Sequence, residues 1–220
     1  MEDIHKAARP RADVEEMLAD KEGSRLGAVT QLALADRNIL NGILHGLVSK
    51  VDVHRYNCFK VLLEISETQP LALYPHWDYL VGLLDSDNSY HRSTSVCIIA
   101  SLASVDTEDR FDAIFDQYFS HLDDESVVVA RYVARNAGKV AKSKAQLQGR
   151  IVEKLLDIGE TYHNPERRDL IKADVIESFE EFFEQADDKE SILSYVERQL
   201  KCSSPTTRKA AKAFLDRHTG

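Results

Sequence analysis

The sequence is short of the two residues that build tight turns. It contains 9 glycines and 5 prolines among 220 residues, whereas average usage is about 7% and 5%. A β-sandwich or β-barrel joins many short strands through Gly- and Pro-rich turns. The shortage therefore argues against an all-β fold.

Long apolar runs and clustered cysteines are absent from the sequence as well. The longest nearly uninterrupted apolar run, Val96 to Ala103, is far shorter than the roughly 20 residues of a membrane-spanning helix. Residues 1–6 lack the apolar stretch of a signal peptide. The three cysteines are far apart and are interpreted as small core residues, not as a disulfide framework or a zinc site: Cys58, Cys97 and Cys202. We therefore expect a cytoplasmic protein without a membrane segment.

What the sequence does contain is apolar residues in helical periods, with 43% hydrophobic and 30% charged residues. The pattern predicts twelve helices in six pairs. The first helices are predicted at 12–20, 38–49, 71–85, 107–122, 145–160 and 188–201. The second helices are predicted at 24–36, 53–68, 89–104, 126–142, 166–186 and 205–217. Short polar connections make the chain one continuous array.

A recurrent unit underlies these pairs, because a polar turn leads into a second helix with an arginine near its start. The recurring arginines are 30 to 40 residues apart: Arg25, Arg55, Arg92, Arg131, Arg168 and Arg208. The last two copies are the most alike, since Pro165 and Pro205 each follow a capping residue, Asn164 or Ser204. Proline at the first helical position loses no hydrogen bond, and Asn or Ser before it caps the helix.

These features resemble the HEAT-repeat family of armadillo-like α-solenoids. The resemblance rests on the early arginines, on small-residue patches at 137–140 and 210–214, and on turn aspartates: Asp20, Asp52, Asp85 and Asp123. It covers nearly all of the chain and implies an all-α, right-handed superhelix of about six HEAT-like helix pairs. We expect a single domain over residues 1–220, with the terminal pairs acting as caps. HEAT names an architecture and not an activity.

Charge is distributed in blocks, although the formal net charge is −9. Residues 105–125 hold eight acids against Arg110, and residues 174–190 hold eight acids against Lys189. Residues 131–154, between them, hold seven Lys or Arg against Glu153. The acidic excess keeps such a protein soluble, while the basic block is the strongest candidate for a binding surface.

Four cations of the basic block are predicted to share one helix face. Arg131, Arg135, Lys139 and Lys142 are spaced 4, 4 and 3 residues apart, so they fall within about 80° of one another. In HEAT arrays the second helices line the concave surface. The resemblance therefore implies a basic concave ridge made of Arg92, Arg131, Arg135, Lys139, Lys142, Arg168 and Lys172. The alternative interpretation is a solvated face plus the structural arginines of HEAT turns.

No motif for catalysis, nucleotide binding or metal binding is present. The sequence has no GxxxxGK[ST], GxGxxG, HExxH or GxSxG. A calcium loop at 85–96 fails because Tyr90 and Val96 replace the required Gly and Glu, so Asp85 and Asp87 are interpreted as capping residues. Four aromatic residues are assigned to the core: Trp77, Phe179, Phe182 and Phe183. We therefore expect that the protein is not an enzyme and that it has no catalytic residue, no metal site and no cofactor.

The leading interpretation is a non-enzymatic protein-interaction scaffold or adaptor that binds an acidic partner segment through its concave face. We expect it to be a monomer or a weak homodimer. A nucleic-acid-binding role, similar to that of the all-HEAT alkylpurine DNA glycosylases, is the alternative. It is disfavoured by the acidic net charge and by a single tryptophan, Trp77, on a first helix. A role like that of HEAT-type phycobilin lyases or chaperones has no motif in its favour.

Overall fold

The computed structural model describes residues 12–160 and 163–219, and these residues form twelve α-helices and no strand. The helices are α1 Ala12–Leu18, α2 Leu26–Ala35, α3 Arg37–Gly46, α4 Asp52–Thr68, α5 Trp77–Gly82, α6 Ser89–Leu102, α7 Arg110–Ser120, α8 Val127–Ser143, α9 Gln148–Leu156, α10 Pro165–Glu180, α11 Lys189–Gln199 and α12 Pro205–His218. The twelve predicted helices are confirmed.

Several predicted helices are shorter than expected, and two of them show how. The predicted helix at 71–85 begins as two 3-10 turns, Pro70–Ala72 and Tyr74–His76, and becomes α-helical only at Trp77. Both turns contain a proline, which has no amide proton to donate to a longer helical ladder. The predicted helix at 166–186 ends at Glu180, and a separate 3-10 turn follows at Phe183–Gln185.

The helix starts at Pro165 and Pro205 form as predicted. In α10 the side chain of Asn164 accepts a hydrogen bond from the amide of Arg167, and in α12 Ser204 accepts one from the amide of Thr207. The predicted caps before α6 are wrong, because Asn88 caps that helix and Asp85 accepts a hydrogen bond from Gln117 instead.

The chain divides into two compact units at Leu80 and Val81. In the first unit, α4 packs against both α2 and α3. The amide of Asn57 in α4 donates to the carbonyls of Leu18 and Asp20, at 2.9 and 2.8 Å. Helix α4 is therefore fastened to the turn that follows α1.

In the second unit the second helices of successive pairs contact one another in the order α6, α8, α10, α12. The predicted apolar face of α8 is confirmed as core, because Val129, Val133, Ala137 and Val140 are fully buried. The aromatic residues assigned to the core are buried too: Trp77 in the first unit, and Phe179, Phe182 and Phe183 in the second. Cys58, Cys97 and Cys202 are buried free thiols.

Helices α8 and α10 approach each other closely at Gly138. A Cβ atom added there would overlap the backbone carbonyl oxygen of Ser178 in α10. We expect Gly138→Ala to destabilise the protein by about 1–3 kcal/mol, because backbone cannot move aside as a flexible side chain does. The free energy of unfolding, measured by chemical denaturation, checks this.

Gly149 in α9 provides the matched control, because a Cβ there would have nothing within 4 Å. Gly149→Ala should be neutral or should stabilise α9 by up to about 1 kcal/mol through helix propensity. Equal effects at the two glycines would contradict the close approach of α8 and α10.

Candidate functional site

The arginine near the start of a second helix binds the turn that precedes it. Three of these arginines donate through Nη1 to a carbonyl six residues earlier at 2.6–2.7 Å: Arg55 to Ser49, Arg92 to Ser86, and Arg208 to Cys202. Each is the fourth residue of its helix. The recurrent arginine is therefore a structural group that satisfies carbonyls at the end of the preceding helix and turn.

Arg92 is buried and does not belong to an exposed basic ridge. Its Nε and Nη2 atoms donate to the carboxylate of Asp124 at 2.7 and 2.8 Å, and only 8% and 4% of the two side chains are exposed. Burial raises the pKa of Asp124, but hydrogen bonds from Arg92, Ser126 and His121 outweigh it and hold the pKa below the usual 3.8. The ridge prediction is therefore wrong at this residue, because its guanidinium group is buried in hydrogen bonds to Asp124 and Ser86.

Arg131 differs from the turn arginines by one helical position. It is the fifth residue of α8, and Ala130 occupies the fourth. One residue rotates a side chain by about 100° around the helix. Arg131 accordingly reaches α10, where its Nε and Nη2 donate to the carboxylate of Asp174 at 2.6 and 3.3 Å.

Arg135 shares the same carboxylate. Its Nη2 donates to Oδ1 of Asp174 at 2.5 Å, and its Nε lies 3.8 Å from Glu177. Asp174 is buried, with 2% of its side chain exposed, whereas Arg131 and Arg135 are 39% and 50% exposed. The hydrogen bond that Arg131 donates to Asp174 is also the largest cause of the raised pKa of Arg131. One buried carboxylate therefore fixes two surface arginines in place.

The other predicted ridge residues lie in the second half of α8 and on α10. Lys142 is exposed and Lys139 part-buried in the last turns of α8, where cations complement the helix dipole. Arg168 is the fourth residue of α10 and is part-buried, and Lys172 bonds to Asp169 of its own helix at 2.8 Å. We use the name α8 stripe for Arg131, Arg135, Lys139 and Lys142.

The charge blocks of the sequence pair with one another across neighbouring helix pairs. The partners are 32 to 43 residues apart, about one repeat: Arg92 with Asp124, Lys144 with Asp106 and Asp109, Arg150 with Asp116, and Arg131 with Asp174. Lys154 also lies 3.9 Å from Asp116. The alternation of acidic and basic blocks is therefore largely a pattern of contacts between successive repeats.

The described parts of the chain offer little for chemistry. Within them, no group of His, Cys, Asp and Glu is arranged to hold a metal ion. Burial raises the pKa of the Cys58 thiol to about 12, so this cysteine is a poor nucleophile. Among the helices of residues 12–160 and 163–219, none combines the length and apolar character needed to cross a membrane.

Comparison with known proteins supports the fold. No protein-family model matches the sequence, and no curated protein matches it significantly. An engineered protein aligns with 95% of this chain and 97% of its own, at 17% identity and a TM-score of 0.48. A designed armadillo repeat protein aligns over 97% of both chains, at 14% identity and a TM-score of 0.59. The likeness to the designed armadillo repeat protein, together with the twelve helices, shows that this chain has the fold of an all-α, armadillo-like repeat solenoid.

Proposed function

We propose that this protein is a non-enzymatic scaffold that binds an acidic segment of a partner protein along the α8 stripe. The observation that carries the proposal is the anchoring of Arg131 and Arg135 by the buried Asp174. Repeat solenoids stack helix pairs into extended binding surfaces. In a HEAT-type arrangement the second helices, α8 among them, line the concave face.

The anchoring by Asp174 favours binding because it lowers the entropy lost on association. Surface arginines usually lose rotamer freedom when they meet a partner, at about 0.5–1.5 kcal/mol for each side chain. Here two guanidinium groups are held before the partner arrives, and both keep a substantial exposed area. Asp174 and Glu177 together oppose these two guanidinium charges, so the positive surplus of the α8 stripe depends on its lysines.

The length of the α8 stripe sets the size of the acidic segment. From residue 131 to residue 142 an α-helix rises about 17 Å. An extended chain covers about 3.3–3.6 Å per residue. The stripe therefore fits an acidic segment of about five extended residues, with Arg168 and Lys172 of α10 flanking it.

We propose that residues 1–220 form one array, capped by its terminal pairs, in a cytoplasmic monomer or weak homodimer.

The pairing of the basic block disfavours nucleic acid as the ligand. At least five of the seven cations in residues 131–154 contact carboxylates: Arg131, Arg135, Lys144, Arg150 and Lys154. Such cations release few counterions on binding DNA, and counterion release supplies most of the non-specific affinity for DNA. A short acidic segment of a protein carries fewer negative charges than a DNA duplex and needs fewer cations to bind it.

A charge-reversal experiment tests this proposal. The probe is a short fluorescent glutamate-rich peptide, and its binding is followed by fluorescence anisotropy. Lys139→Glu with Lys142→Glu is expected to weaken binding roughly tenfold, because two favourable charge contacts become repulsive. Arg131 and Arg135 are left unchanged, so the fold and its Asp174 anchor stay intact.

The control reverses two exposed lysines of α12, Lys209→Glu with Lys212→Glu. It changes the net charge by the same amount and should leave peptide affinity close to wild type. Equal losses of peptide affinity in both double variants would show that net charge alone governs binding. That result would refute the α8 stripe as the binding site. Duplex DNA is the competing probe, and a clear preference for DNA over the peptide would favour the nucleic-acid alternative.

A further inference from the structure

A groove in the second unit lies between α9 and the start of α11. A cavity of about 150 Å³ is lined by α9 residues from Gln148 to Leu156 and by the 186–188 segment that precedes α11. A more open cavity of about 280 Å³ shares Leu156 and Asp188 and continues along α11 to Arg198. We call these two cavities together the α9–α11 groove.

The floor of the α9–α11 groove is apolar. Val152, Leu156 and Ala186 line the smaller cavity, and Leu156 is only part-buried. Gly149 contributes no side chain to it, and a Cβ there would meet nothing within 4 Å. A cavity of about 150 Å³ is large enough to hold a benzene-sized group. The floor therefore has room for one large apolar side chain of a ligand.

The rim of the groove is acidic, and its carboxylates differ from the other acids of residues 174–190. Several of those acids form ion pairs with cations: Asp174 with Arg131 and Arg135, Glu180 with Arg217 and His218, and Glu184 with Lys189. By contrast, Glu153, Asp187 and Glu190 line the groove as exposed side chains and contact no cation by an ion pair among the described residues.

Two further charged residues line the groove and have local roles. Asp188 caps α11 by accepting a hydrogen bond from the amide of Ser191. Arg198 donates to the hydroxyl of Ser194 at 2.9 Å and lies over the ring of Tyr195. Four carboxylates and one guanidinium thus border the described part of the groove, which gives it an excess of negative charge.

We propose that the α9–α11 groove is a second docking site, for a basic amphipathic helix of a partner protein. One large apolar side chain of the helix enters the cavity over Val152 and Leu156, and apolar neighbours three or four residues away lie along the groove. Lysines or arginines on the flanks of the helix face Glu153, Asp187 and Glu190, and this complementarity excludes acidic segments. The site goes beyond the proposed function, because its charge is opposite to that of the α8 stripe and it selects a different ligand.

The test uses the full-length protein and a fluorescent amphipathic peptide made of leucine and lysine. Gly149→Phe adds a ring at the wall of the cavity, where a Cβ meets nothing within 4 Å, and should weaken binding about thirtyfold, the effect of losing one central anchor. Asp187→Lys with Glu190→Lys should weaken binding about tenfold and reduce its salt dependence. Asp188 is left intact because it caps α11.

Each variant has a matched control. Gly27 is the second residue of α2, as Gly149 is of α9, and a Cβ there also meets nothing within 4 Å. Gly27→Phe should bind like wild type, and so should Glu22→Lys with Asp216→Lys, which reverses two exposed acids outside the groove. No binding by the wild type, or unchanged binding by Gly149→Phe and the Asp187/Glu190 variant, would overturn the proposal. Binding of the glutamate-rich peptide tests the α8 stripe independently.

Discussion

Replacing Arg92 with alanine is expected to destabilise the protein by about 3–5 kcal/mol, because it leaves a buried carboxylate without its counter-charge. Asp124 has only 4% of its side chain exposed, and Arg92 supplies two of its hydrogen bonds. The same change also removes the bond to the carbonyl of Ser86. Chemical denaturation measures the loss.

Arg55 is the matched control for Arg92. It occupies the same helical position and donates to the carbonyl of Ser49 in the same way, but its carboxylate partner, Asp52, is 87% exposed. Arg55→Ala should therefore cost only about 1 kcal/mol. Adding Asp124→Ala to Arg92→Ala should recover part of the loss, because the uncompensated charge is gone. Equal losses at Arg55 and Arg92, with no recovery, would contradict a buried ion pair.

Lys144→Ala is expected to lower the free energy of unfolding by a similar amount, about 3–5 kcal/mol. The ammonium of Lys144 lies 2.9 Å from the carboxylate of Asp106, whose side chain is fully buried, and 2.7 Å from that of Asp109. This contact ties the end of α8 to the segment that precedes α7. Neighbouring Lys142 is exposed, so Lys142→Ala should change the free energy of unfolding by less than about 0.5 kcal/mol.

The pKa of Lys144 defines the pH range over which this contact is stabilising. Burial lowers the pKa, but hydrogen bonds to Asp109 and Asp106 outweigh it and raise the pKa above its usual 10.5. A group with a raised pKa in the folded state contributes fully below 10.5, and its contribution is lost as the pH rises through the folded value. The difference in stability between wild type and Lys144→Ala should thus be constant at neutral pH and shrink in strong alkali. If the difference in stability between wild type and Lys144→Ala did not shrink even in strong alkali, the ion pair would be contradicted.

Sequence reasoning predicted the helices because their signals are local. The caps at Asn164 and Ser204 depend on residues within one turn of the chain, and both form. The apolar face of α8 follows from periodicity alone. The assignment of Asp85 and Asp87 as caps failed because Asn88 lies closer to the first residue of α6 and competes successfully.

The partners of the charged residues were not predicted, because they lie one repeat away. Arg92 and Arg131 look equivalent in the sequence. Arg92, however, binds its own turn and Asp124, whereas Arg131 binds Asp174 of α10. Two signals in the sequence point to this difference. Arg131 is the fifth residue of its helix, whereas the turn arginines are the fourth residues of theirs. The acidic and basic blocks are also separated by about one repeat length. The α9–α11 groove depends on a missing side chain at Gly149, which no pattern of charges reveals.

The central claim is that the acidic and basic blocks of this solenoid pair largely across successive repeats, while we propose that the α8 stripe binds an acidic partner. A photo-crosslinking residue placed at position 142 of α8, or at position 212 of α12 as a control, tests this claim most directly with the glutamate-rich peptide. We expect crosslinking at position 142, suppressed by salt, and little at position 212. Crosslinking of equal yield at both positions, or only at position 212, would contradict the account.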